Sequence, residues 1–156
     1  CLLSLTFCKQ KEEVFMREDE YVDYIISETI CSLNEHDTER LKNLFSNSVI
    51  KTVDDLNTKC GMFSDFIGFT IVSHEYDGTL ASDMSVKNGE KRNMIRFSFE
   101  IVTGESEKYT IFVICYNIDT ANTDNVGVYM MEIAHSDYDE YDSWQDRIVP
   151  GISILE

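Results

Sequence analysis

Histidine is the side chain whose ordinary pKa suits proton transfer near neutral pH, and the chain has three: His36, His74 and His135. A general base also needs an apolar setting and a partner that orients it. His135 alternates with Tyr129, Met131 and Ile133. That period of two puts all four on one face of a strand, where they can line a pocket. His74 stands near Glu75 and Asp77, and His36 falls at a helix junction, where a surface or capping role is the simplest reading. Tyr129, Met131 and His135 are therefore the candidate binding residues. No paired base accompanies them, so no catalytic residue is assigned.

Other chemistries have less to work with. Asp137, Asp139, Glu140 and Asp142 offer hard oxygens, but their spacing lacks the alternating ligands and glycine of a calcium-binding loop. Asp119, Asn122 and Asp124 read in the same way, as a solvated turn. Cys31, Cys60 and Cys115 show no Cys-x-x-Cys spacing, which indicates neither a zinc site nor a disulfide framework. Cys60 and Cys115 lie on apolar stripes and read as core residues, whereas Cys31 falls opposite its helix's apolar face. A phosphate-cradling GxxxxGK, a GxSxG elbow and an HExxH helix are all missing, so hydrolase, kinase and zinc-protease readings have no support. No metal or cofactor is expected.

The opening run Cys1-Leu-Leu-Ser-Leu-Thr-Phe-Cys8 turns polar at Lys9-Gln-Lys-Glu-Glu13. This pattern fits the end of a signal peptide's apolar region followed by a tether over 1–16, with the domain proper over 17–156. Without an initiator Met, the chain is expected to start partway into a precursor. Leu5-Thr6-Phe7-Cys8 resembles a bacterial lipobox, which makes Cys8 the expected lipidated residue. Phe7 stands where a small residue is usual, so Cys1 is the competing site, and a plain apolar end is the third reading. The implied location is the cell surface, with a lipid as the only membrane contact.

The elements that must position these residues follow from composition and pattern. The chain has 156 residues, 43% of them apolar and 12% aromatic, enough for one domain with one core. Thirteen basic against 29 acidic side chains give a net charge of −16, which repels phosphate backbones and excludes nucleic acid as a partner. Val22, Ile25, Ile26, Thr29, Ile30 and Leu33 recur at helical spacing behind Glu18, Asp19 and Glu20. Asp37 can cap a second helix carrying Leu41, Leu44 and Phe45, ended by Ser46-Asn47-Ser48. Thr52 can cap a third through Val53, Leu56, Cys60, Phe63 and Ile67 to Gly68, with Gly61 as its weak point.

From Gly68 the chemistry turns to β-branched and aromatic runs. Strands are expected over 68–77, 94–103, 107–119 and 125–135, with 81–92 as a loop or ragged edge containing a Lys87-Asn88-Gly89-Glu90 turn. Thr103-Gly104-Glu105-Ser106 and 120–125 are turns short enough to force antiparallel pairing. Both faces of 109–118 are largely apolar, so that strand should be central and covered on both sides. Pro150-Gly151-Ile152, with Trp144 and Ile148, can bring the end of the chain back onto the body. Helices followed by a run of strands indicate an α+β fold.

This order, from the long helix through the Asp37…Leu41-Lys-Asn-Leu44-Phe45-Ser46 helix and the helix ending at Gly68 to a curved meander, resembles the nuclear transport factor 2-like (cystatin-like) cone over about Tyr21 to His135. Within that superfamily it is similar to uncharacterised lipoproteins of gut-dwelling Gram-positive bacteria. The resemblance implies N-terminal helices packed on a curved antiparallel sheet of four or more strands, with a pocket between its concave face and the long helix. The superfamily includes isomerases, dehydratases, polyketide cyclases and many proteins that only bind, and fold alone does not choose among them. The expected function is a non-enzymatic module binding a small apolar ligand or a protein partner. An acid-base enzyme using His135 is the alternative, and a homodimer formed through the open sheet face is a third reading.

Overall fold

The computed structural model describes residues 16–137 and 148–155. Helix α1 (Glu18–Asn34) buries Val22, Ile25, Ile26, Thr29 and Leu33, the stripe that the spacing predicts, with its three acids in the first turn. His36, in left-handed backbone at φ 52°, ends it. The His36 and Asp37 amides donate back to the carbonyls of Leu33 and Ser32, satisfying acceptors that a helix end leaves free. Asp37 then caps α2 (Thr38–Lys42) by accepting from the Arg40 amide. One stretch of Asn34 also ties the layers together, since its side-chain amide accepts from the Ile71 N–H and donates to the Ile71 carbonyl.

The next segment departs from expectation. Ser46 does not end a helix; it starts one, accepting from the Val49 amide to cap α3 (Asn47–Thr52). Thr52 closes that helix instead of capping the next. The stripe from Val53 to Ile67 is split, because Val53 is extended and Asp55 is left-handed at φ 61°, so α4 (Leu56–Ile67) begins only at Leu56. Ser and Thr cap or terminate equally well by local hydrogen bonding, and the choice here is made by the strand that the 44–46 linker touches. Gly61 does not interrupt α4, which ends at left-handed Gly68.

Six strands form one sheet: β1 (Ile71–Glu75), β2 (Leu80–Lys87), β3 (Glu90–Thr103), β4 (Lys108–Asp119), β5 (Gly127–His135) and β6 (Gly151–Leu155). The order is β1-β3-β4-β5-β6, with β2 pairing the other half of the β3 edge that holds β1. The sheet is mixed: β6 runs parallel to β5, while the remaining pairs are antiparallel. Residues 81–92, expected as a loop or ragged edge, are a regular hairpin in which β2 forms an exposed edge and β3 begins at Glu90. Asn88 and Gly89 at φ 52° and 82° form the two-residue turn that matches strand twist, and polar side chains are tolerated because the strand is exposed. The end of the chain does return, as an added strand that its polar approach did not announce.

Strand β4 lies in the middle of the sheet and is buried on both faces. Its Ile111, Val113 and Cys115 join Ile95, Phe97, Phe99, Met131 and Ile133 in a core closed by Ile25, Leu41 and Phe63 from the helices. The architecture is α+β, with helices packed on the sheet. No helix among the described residues is long and apolar enough to cross a membrane. Cys1, Cys8, the tether up to residue 15, Asp139, Glu140, Asp142 and Trp144 lie outside the described residues.

Candidate functional site

The surface clefts lined by described residues include the following three. The first, about 240 Å³, lies between α1 and α2 against Tyr24, Glu28, Asp37, Arg40 and Leu44. Its one cation is taken up within the fold: Arg40 donates twice to Glu28 at 2.8 and 3.0 Å and once to Glu35 at 2.8 Å. That hydrogen-bonded guanidinium holds Glu28 below the usual carboxylate range. A second, of about 310 Å³, is acidic, with Glu75, Asp77, Ser98, Glu100 and Thr110 on the sheet face away from the core. A third, of about 140 Å³, is lined by Asp83, Ser85, Arg92, Met94 and Tyr116, with Arg92 stacked 4.4 Å from the centre of the Tyr116 ring.

The three candidate binding residues are placed differently from one another. Met131 is completely buried in the core opposite Val113. Tyr129 is half-buried near the start of β5 and meets the Tyr116 ring edge-on at 6.2 Å. A shift in the β4–β5 register between Ile114 and Cys115 leaves it without a direct partner across the ladder. His135 lies six residues on, roughly 20 Å away along an extended strand. The structure therefore does not gather all three around one cavity.

What it does gather, at the His135 end of the sheet, is a corner of rings. His135 sits directly across from Tyr109 in the ladder, with ring centres 4.5 Å apart. Phe66 of α4 meets both rings edge-on at 5.6 Å, the orientation that ring quadrupoles favour. Glu107 approaches from the β3–β4 turn, its Oε2 4.0 Å from His135 Nδ1, and both side chains are about half exposed, at 43% for His135 and 53% for Glu107. Tyr109 is buried beneath, and burial followed by the charge of Glu107 pushes its phenol pKa up. One helical turn before Phe66 stands Met62, 55% exposed. Phe66 and Tyr109 were not legible as site residues, because each reads as ordinary core. The register shift between Ile114 and Cys115, which no local pattern marks, decides that Tyr109 is the residue of β4 that faces His135.

The remaining histidines lead elsewhere. His36 is exposed, with Nδ1 3.1 Å from the Ser64 hydroxyl, a contact that ties the end of α1 to α4. His74 is exposed on β1. Cys60 and Cys115 are buried, and burial pushes the Cys60 thiol up to about 12 and the Cys115 thiol up as well, so neither supplies a thiolate near neutral pH. Cys31 is exposed. No group of three or more potential metal ligands occurs among the described residues.

The acidic turn after β4 has structural work. Asp119, with its side chain only 4% exposed, accepts from the Asn122 amide and the Asn125 side chain and lies 3.6 Å from Arg92. Asp124 accepts from Lys51 at 2.7 Å and Asn47 at 3.3 Å, which pins the turn to α3. Burial alone would raise the Asp119 pKa, but hydrogen bonds from Asn125, Asn122 and Ala121, with Arg92 nearby, outweigh it and lower the pKa. A carboxylate whose folded pKa lies below its unfolded value of about 3.9 stabilises the fold above that pH and ceases to do so as pH falls through the folded value. Asp119→Asn should therefore lower stability at neutral pH and flatten the acid limb of a stability-against-pH curve. An unchanged limb below about pH 4 in chemical denaturation would remove Asp119 from that account.

The profile of a domain of unknown function, DUF5104, matches residues 28–138, most of the chain. No curated protein matches it.

Proposed function

The chain belongs to the family of the domain of unknown function DUF5104, and we propose that it is a non-enzymatic module that binds a small apolar or aromatic ligand at the corner of Phe66, Tyr109 and His135. The observation that carries this is a ring cluster with a buried member and a half-exposed edge: Tyr109 is 4% exposed, while the His135 side chain is 43% exposed, and Met62 one helical turn before Phe66 is 55% exposed. Aromatic side chains present area at little cost in conformational freedom, and a polar edge such as His135 and Glu107 orients what lands on it.

Titration of the full chain with a neutral, apolar fluorescent dye tests the reading. Saturable binding is expected, weakened about tenfold by Phe66→Ala and measurably by Met62→Ser, whose exposed position leaves folding intact. Binding that neither substitution changes would overturn it. The 4.0 Å approach of Glu107 to His135 favours a second reading, an acid-base enzyme of the isomerase or dehydratase type with His135 as base. Turnover of a small carbonyl compound, abolished by His135→Ala, would replace binding with catalysis.

We read the helices and sheet as the nuclear transport factor 2-like cone, and the chain as an exported lipoprotein, like those of gut-dwelling Gram-positive bacteria, held at the cell surface through Cys8. The support is the order of elements and the Leu5-Thr6-Phe7-Cys8 pattern. Mass spectrometry of the native membrane fraction decides the second point, and an unmodified Cys8 on a soluble protein would refute it.

A further inference from the structure

At the end of the sheet away from His135, β2 presents an edge that no other described strand pairs. It pairs with β3 on one side, without a bulge, from Leu80 opposite Phe97 to Lys87 opposite Glu90. Every residue from Ala81 to Lys87 is exposed. A long edge strand is a template for another strand, and proteins usually blunt such edges with proline, a bulge or an inward charge. This one has eight residues, no proline and an unbroken register. In a two-residue hairpin the flanking pair, here Lys87 and Glu90, exchanges both ladder hydrogen bonds. The backbone groups of Ala81, Asp83, Ser85 and Lys87 therefore point at β3, and those of Leu80, Ser82, Met84 and Val86 point outward.

We propose that the edge is taken by a second copy of this chain, β2 against β2, antiparallel about a two-fold axis at Ser85. In that register Asp83 faces Lys87 of the second copy, Met84 faces its Val86, and each pair occurs twice. The match is a property of the sequence: the only two charges of β2 lie symmetrically about Ser85 and have opposite signs. Met84 and Val86 are 49% and 63% exposed and share the face on which Leu80 lies opposite the core residue Phe97. Both have outward backbone groups, so they form hydrogen-bonded pairs across the axis while Ser85 meets Ser85 in a closer, non-hydrogen-bonded pair. Centring the axis on Asp83 would oppose like charges, and centring it on Met84 would leave both charges without a partner. The pairing would join two six-stranded sheets edge to edge, and it uses none of the residues of the ring corner, so either can hold without the other.

Sedimentation equilibrium of the full chain tests this. The expected mass is twice the 18.0 kDa of one chain. Asp83→Lys, an exposed change, opposes lysines across the axis twice and should weaken association about tenfold. Adding Lys87→Asp reverses both signs and should restore it. Met84→Pro removes an outward N–H while leaving the β2–β3 ladder its bonds, and should give monomer. A chain that stays monomeric at every concentration, or a dimer indifferent to both Asp83→Lys and Met84→Pro, overturns the proposal.

Discussion

Replacing Phe112 by Ala should cost about 3–5 kcal/mol of stability, the range for truncating a buried aromatic. Phe112 is 2% exposed at the middle of β4, between Ser98 of β3 and Glu132 of β5 in the ladder. Its side chain lies on the sheet face opposite Val113 and the helix-side core. That face is not an open one: Ile114, Met130 and Ala134 are all completely buried there. Loss of the ring would leave a cavity whose walls are held by the ladder, so little collapse can offset it. Chemical denaturation measures the effect. A cost well under about 1 kcal/mol would mean that the second face of the sheet is in contact with water.

The second large effect is expected at Gly127, where Ala should destabilise by about 3 kcal/mol. Its φ of 133° is a conformation that L side chains rarely adopt, and a Cβ there would lie 2.7 Å from the Ser46 nitrogen and 2.8 Å from its Cα. Those atoms cannot retreat freely. The linker they belong to is clamped to β5 by two bonds around Val128, whose amide donates to the Leu44 carbonyl and whose carbonyl accepts from Ser46, each at 2.9 Å. Gly61→Ala is the matched control. Nothing lies within 4 Å of a Cβ there, and the residue is inside α4, so the same substitution should stabilise by about 0.5–1 kcal/mol. Equal effects at the two positions, measured by denaturation, would refute the account of the Gly127 approach.

The contrast between these glycines separates what the sequence by itself determined from what tertiary structure decided. Features governed by neighbours within four residues were legible. The stripe from Val22 to Leu33, the Asp37 cap, the turn at Asn88-Gly89 and the two apolar faces of β4 each follow from local geometry and side-chain chemistry. The acidic balance was legible too, as a net charge of −16.

Contacts between distant segments were not. Ser46 can end one helix or begin another by the same hydrogen bond, and its bond to Val128, more than eighty positions away, accompanies the second outcome. Strand β2 mixes Leu80, Met84 and Val86 with polar residues and is exposed from Ala81 to Lys87, so no buried apolar face marks it; its partner β3 supplies the ladder that makes it a strand. Strand β6 joins β5 in parallel because the return path of the chain, not any turn signal, sets its direction. For the candidate site, alternation correctly put Met131 and His135 on one face of β5, but alternation does not say how deep each residue lies. Burial of Met131 comes from the core it shares with Val113 of β4, while the company of His135 comes from the β4–β5 register and from Phe66 on a helix nearly seventy positions earlier. Periodicity assigns a side chain to a face; only the packing of separate elements decides whether that face is core, corner or surface.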